Sequence, residues 1–324
     1  MAFKYSIISE TIGRIGHYIL ETPQPILEAI KRAGFDAVDL PGNPPKLDVD
    51  KFRRLLDSTG LEVNEILGAW AYHHAGESRD LAGDDVQARQ RGIDYGKACV
   101  DLAAALGAKY YQICASQTPV PQIPFPKLPM HVLRSNFLEG AREICEYAGE
   151  RDITVLFEPL NRYEAYSGIL TSVFDAISLI DDLGLPNIGV QPDIYHMNIS
   201  EASTTSALLA AGDRIKVMHV NETNHCFLGE GHADYPAILS TLKEIGFDGY
   251  LSIYMGLVPP EISYRAGVSQ EAARPGLQES LERQINFLKA VETSVDYQRR
   301  LYGSGAGYVT REGSAEAGES GTKY

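Results

Sequence analysis

Basic side chains, thiols and long apolar runs are all scarce in this chain of 324 residues. Lys and Arg number 29 against 43 Asp and Glu, a formal net charge of −14. No basic patch stands out to offset phosphate repulsion, which argues against a nucleic-acid partner. The apolar runs are strand-length, far short of a membrane span. Met1-Ala-Phe-Lys-Tyr-Ser leads straight into a strand pattern, without the apolar h-region of a secretory signal. The four cysteines, Cys99, Cys114, Cys145 and Cys226, are far apart and form no CxxC pair, so free thiols in a reduced, cytoplasmic protein are expected. Cys226 sits beside His225, but a nucleophilic cysteine needs a partner base that spacing alone does not identify. No phosphate loop or GxGxxG turn follows a strand; Gly229-Glu-Gly231 stands alone and reads as a loop.

What is present is an even alternation of strand-like and helix-like segments. Strands are expected at Phe3–Ile8, Ala37–Leu40, Val63–Leu67 and Lys109–Cys114, then in runs ending at Glu158, Asp193 and His219, and last at Tyr250–Tyr254. Helices fall between them: Pro25 to a stop at Gly34, Val49–Thr59, Asp85–Leu106, Met130–Gly149, Ser172–Leu183, Thr204–Ala211 and Pro236–Gly246. Eight strand–helix units in about 290 residues predict a (β/α)₈ TIM barrel, with a doubly wound open sheet as the main competitor. Residues 1–302 form the expected barrel domain. The Gly/Ser/Glu-rich tail 303–324 lacks hydrophobic periodicity and is expected to be mobile or to fold over a neighbour.

Two loops are unusual. Gln117 to Pro129 carries five prolines around Phe125, a stiff excursion suited to a pocket wall or a subunit contact. Trp70-Ala-Tyr-His73-His74, after the third strand, brings the single tryptophan and paired histidines to the same end. Its aromatics suit stacking on a sugar or aglycone face, and a structural role is the alternative.

Glu158, Asp193 and His219 each close an apolar run. In a parallel α/β fold the strand C-termini converge on one mouth, so these three can share one ion. A mixed carboxylate and imidazole set suits Mn²⁺, Co²⁺, Mg²⁺ or Fe²⁺ better than a structural zinc.

The segments Glu158-Pro-Leu-Asn-Arg-Tyr-Glu164 and Asp193-Ile-Tyr-His196-Met-Asn198 carry a family resemblance, together with His219-Val-Asn-Glu222-Thr-Asn-His225 and Gly229-Glu-Gly-His-Ala-Asp234. With them the chain resembles the sugar isomerase/epimerase superfamily of xylose-isomerase-like barrels, and within it the ketose 3-epimerases. The resemblance implies that Glu158, Asp193 and His219 bind the metal, usually Mn²⁺ or Co²⁺. It also implies that His196 contacts substrate oxygens and that Glu164 lies in the pocket as an acid/base carboxylate.

Two positions depart from the pattern. Tyr254 stands where the family has a glutamate that both binds metal and serves as second acid/base group, and His225 replaces a substrate-gripping arginine. A phenol with a pKa of about 10 is a poor base at neutral pH. The large subunit of the C-glycoside deglycosidases is the other family resembled. It implies a lyase cleaving the C–C bond of 3-oxo-C-glycosides, with Glu164 or a histidine as base and His225 or Tyr254 serving the leaving group. A small second subunit and an oligomer are implied partners. Trp70, His73, His74 and Glu222 complete the candidate substrate-binding set; Glu222 could also orient the ligands from behind, and His73, His74 or His225 could supply a fourth ligand. A ketose 3-epimerase or aldose–ketose isomerase, and a barrel without catalysis serving as a binding subunit, are the alternative readings.

Overall fold

The computed structural model describes residues 2–68, 79–117, 128–163, 168–257 and 275–303. Eight parallel strands form one sheet: β1 (Lys4–Ile8), β2 (Ala37–Pro41), β3 (Glu62–Leu67), β4 (Tyr110–Ile113), β5 (Thr154–Phe157), β6 (Ile188–Val190), β7 (Val217–Val220) and β8 (Tyr250–Ile253). Neighbours in sequence are neighbours in the sheet, and β1 pairs with β8, Lys4 opposite Tyr250 through Ile7 opposite Ile253. The β6–β7 seam has no ladder of its own. Two isolated parallel bridges span it, Val190 to Ile215 and Asp193 to His219. The expected barrel is the observed one, and the open sheet is excluded.

Local chemistry explains the helices. They are α1 (Pro23–Ala33), α2 (Val49–Thr59), α3 (Val86–Leu106), α4 (Met130–Gly149), α5 (Val173–Leu183), α6 (Ile194–Ser200), α7 (Thr204–Ala211), α8 (Tyr235–Glu244) and α9 (Leu277–Tyr302). Asp48 and Asp85 cap α2 and α3 through their carboxylates, and Ser172 with Asp175 forms a reciprocal capping box on α5. Gly34 ends α1 at φ +91°, a left-handed turn that glycine adopts without a Cβ penalty. Strand residues such as Ile7, Val38, Ile66, Val155 and Leu251 are wholly buried, as expected of parallel strands covered on both sides.

Two features were not foreseen. The seven-residue α6 follows Asp193 directly, and Arg79–Asp80 pairs antiparallel with Ser116–Gln117. None of the four cysteines is in a disulfide, and three of them are buried. No helix among the described residues is long and apolar enough to cross a membrane. The Trp70–His74 segment, most of the proline-rich excursion, Glu164 and the tail beyond Gly303 lie outside the described residues.

Close approach at the foot of the barrel gives one prediction. A Cβ on Gly249 would collide with the Lys216 carbonyl oxygen, which is backbone and has little freedom to yield. Gly249→Ala is expected to destabilise the fold by on the order of 2–3 kcal/mol in urea unfolding. A loss below about 0.5 kcal/mol, the range of neutral surface changes, would show that β7 and β8 can separate freely there.

Candidate active site

The seam of the barrel is where the candidate residues meet. The Glu158 amide donates to Ile113 O at 2.9 Å, extending the β4–β5 ladder and holding its carboxylate at the strand end. Asp193 caps α6, its Oδ1 accepting the His196 amide at 3.0 Å, and its Oδ2 accepts from Asn221 Nδ2 at 2.9 Å. His219 lies within β7, and its amide donates to Pro192 O across the seam at 2.9 Å. The closure that completes the sheet therefore also juxtaposes the donors. His219 Nδ1 is 2.8 Å from Glu158 Oε1 and 3.7 Å from Asp193 Oδ2. On the other edge of the imidazole, Nε2 lies 3.1 Å from Glu65 Oε1 and 2.9 Å from Gln191 Nε2. Gln112 donates to Glu158 Oε2, and Gln191 to Glu65 Oε2 at 2.6 Å.

Every one of these side chains is buried. Burial opposes charge on His219, but Glu158 and Glu65 outweigh it and hold the imidazole pKa well above its usual value. Burial likewise pushes Glu158 upward, yet His219 and Gln112 prevail and hold it low. Asp193 is raised, chiefly by burial, with Glu158 adding to it. Three buried carboxylates thus surround a single imidazole.

The residues suit a divalent cation. Donors sharing one ion at about 2.1 Å stand roughly 3.0–3.4 Å apart, and the two Nδ1–carboxylate distances fall on either side of that range, 2.8 Å below it and 3.7 Å above it. The excess negative charge asks for a cation, and Gln191 Oε1 is a buried acceptor without a partner among the described residues. Glu158, Asp193 and His196 also offer atoms all within 4.8 Å of one another. His196 is the weaker ligand of the two histidines. Its Nδ1 accepts the Asn161 amide at 3.1 Å, so a neutral ring carries its proton on Nε2 and presents a donor there.

The mouth continues as a stack of rings. The Arg14 guanidinium lies 4.4 Å over Tyr254, Tyr254 stacks on His225 at 5.3 Å and 5°, and His225 stacks on Tyr195 at 3.8 Å. Burial, Arg14 and His196 push the His225 pKa down to about 3, so its ring is neutral. Burial holds the Tyr254 phenol protonated, well above its usual pKa. His225 takes φ +59°, an unusual conformation for a side-chain-bearing residue. Glu222, expected behind the ligands or on substrate, is turned to its own loop instead. Its carboxylate accepts the amides of Gly229 at 2.8 Å and Thr223 at 3.1 Å.

A model of the xylose isomerase-like TIM barrel family matches residues 27–282. The chain belongs to this family. It is 27% identical over 258 residues to a ketose 3-epimerase of Arthrobacter globiformis, covering 78% of this chain and 85% of the relative. It is 26% identical over 251 residues to the 3-dehydro-D-guloside 4-epimerase of Escherichia coli, covering 74% and 90%. The structure of an L-ribulose 3-epimerase superposes with a TM-score of 0.75 at 22% identity, covering 93% of this chain and 98% of that one, which establishes the shared fold. The resemblance drawn from the sequence is borne out, and with it a carbohydrate-acting enzyme of isomerase or epimerase kinship.

Sequence reasoning passed over Glu65, Gln112, Asn161, Gln191, Asn221 and the inner cluster around Asp39. Asp39 accepts Ser6 Oγ at 2.7 Å and Asn64 Nδ2 at 2.7 Å, and Ser252 Oγ as well. Burial, then Glu65, raises its pKa to about 7 from 3.8. The folded protein therefore keeps a proton that the unfolded chain releases above about pH 4. This contribution to stability falls as pH rises from about 4 to 7 and is flat beyond. Asp39→Asn should remove up to about 1.4 kcal/mol per pH unit of that slope, read from urea midpoints across the window. Parallel slopes for the two proteins would contradict the buried protonated Asp39.

Proposed function

We propose that this family member takes a proton from the carbon beside the carbonyl of an oxidised sugar and then expels a substituent, as a lyase cleaving 3-oxo-C-glycosides. Glu158, Asp193 and His219 would hold the cation, with Mn²⁺ the first choice and Co²⁺ or Mg²⁺ the others. Bound there, it would polarise the carbonyl and an adjacent hydroxyl. The observation that carries the reading is Tyr254 at the end of β8, buried and protonated where epimerases of the resembled type keep a second carboxylate. Epimerisation takes a proton from one face and returns one to the other, so it calls for two bases. Elimination calls for one base and one acid.

In this reading Glu164 removes the C2 proton, and the C–H electron pair moves toward the C3 carbonyl. When the carbonyl re-forms, the C1–C2 double bond forms and the C1–aglycone bond breaks. The aglycone carbon takes a proton from Tyr254, with neutral His225 as the alternative donor. His196 Nε2–H, its tautomer set by Asn161, donates to a substrate oxygen. Trp70, His73 and His74 as substrate-binding residues and a small second subunit as a partner belong to the same reading.

A second reading has a specific observation behind it. The Escherichia coli relative is a 4-epimerase of 3-dehydro-D-guloside, so epimerisation beside a 3-oxo group is chemistry of this family. One experiment separates the two. Mn²⁺-loaded protein in D₂O is given a 3-oxo-C-glucoside or free ketoses, with and without candidate small subunits, and followed by NMR and mass spectrometry. Free aglycone is expected, and Tyr254→Phe should lower its kcat by about 10²-fold with little change in KM. Deuterated epimer without cleavage would establish the second reading, and no exchange with any substrate would point to a binding subunit.

A further inference from the structure

β2 and β3 do not run in even register. Val38 pairs with Val63 and Leu40 with Ile66, so Asp39 of β2 faces two residues of β3, Asn64 and Glu65. A bulge of this kind breaks the alternation that sends successive side chains to opposite faces, and it re-aims a side chain. Here both residues are buried and both join the interior network. Asn64 reaches Asp39, while Glu65 reaches across the barrel to Gln191 of the seam and His219 of β7. Glu65 is wholly buried, and the ion pair it makes among the described residues is with His219.

The hydrogen bonds of His219 define what Glu65 can do. Without a cation, Nδ1–H can donate to Glu158 at 2.8 Å and Nε2–H to Glu65 at 3.1 Å. A cation on Nδ1 requires that nitrogen to be bare, and the ring proton must then sit on Nε2. Gln191 Nε2 is a donor and cannot accept it. Glu65 Oε1, at 3.1 Å, can.

We propose that Glu65 is a positioning residue of the cation centre: by accepting the Nε2–H of His219 it fixes the ring with Nδ1 open toward the site of Glu158 and Asp193. Gln191, donating to Glu65 Oε2, holds the carboxylate in place. Carboxylates placed behind ligating histidines typically strengthen metal affinity by about 10–100-fold. The proposal rests on the cation-centre reading above, but not on which sugar is turned over.

The test is Mn²⁺ binding to the full chain after chelator treatment, by calorimetry and by the Mn²⁺ electron paramagnetic resonance signal, without any substrate. Glu65→Gln, shown folded by circular dichroism, is expected to bind Mn²⁺ about 10–100-fold more weakly. The swapped pair Glu65→Gln with Gln191→Glu returns a carboxylate to the same nitrogen and is expected to recover at least about tenfold of the loss. Affinity of Glu65→Gln within about twofold of wild type, or a swapped pair no tighter than the single variant, would overturn the proposal. Should Glu65→Gln not fold, the swapped pair decides alone: affinity near wild type supports the role, and an about tenfold loss overturns it. Wild-type protein that binds no Mn²⁺ would instead overturn the cation centre itself.

Discussion

Three carboxylates are held around one imidazole inside a closed barrel, and much of the surrounding structure serves to make that tolerable. Glu158, Asp193 and Glu65 all lie within 3.7 Å of His219, and all are buried. Like charges at such separation repel strongly where the local dielectric is low. Amide groups lighten the load: Gln112 on Glu158, Asn221 on Asp193 and Gln191 on Glu65 each donate to the carboxylate beside them. In the absence of a cation the remaining imbalance falls on His219, whose raised pKa makes a proton the counter-charge. The same arrangement is what a divalent ion would stabilise. The β6–β7 seam acquires a purpose in this light, because the Asp193–His219 bridge that closes the barrel is also an edge of the cluster.

Beside the cluster, the mouth is walled by stacked rings. Arg14 has its guanidinium against Tyr254 and donates to Met255 O at 3.3 Å, so it supports the stack from one end. His225 is neutral and Tyr254 protonated, so neither resembles a carboxylate base.

The barrel was legible in the sequence because most of the parallel strands are short apolar runs with a glycine-stopped or carboxylate-capped helix after them, as at Gly34 and Asp85. Glu158 and Asp193 stood out because each follows such a run, and His219 because it interrupts one. Glu65 did not. It sits inside a strand, next to Asn64, and only the bulge opposite Asp39 turns both inward, a register shift that no period-2 pattern contains. Gln112 and Gln191 are ordinary amides in or beside strands, and their significance is entirely in what the closed barrel puts beside them. The ring stack joins Arg14, Tyr195, His225 and Tyr254 from four strand ends, so spacing along the chain gives it no signal.

Anomalous diffraction at the manganese edge, from crystals grown with Mn²⁺, would locate the ion itself. A peak is expected among Glu158, Asp193 and His219 Nδ1, with Glu65 still at Nε2 on the far side of the ring. A peak ligated by His196 in place of His219, or no peak in this cluster, would contradict that expectation.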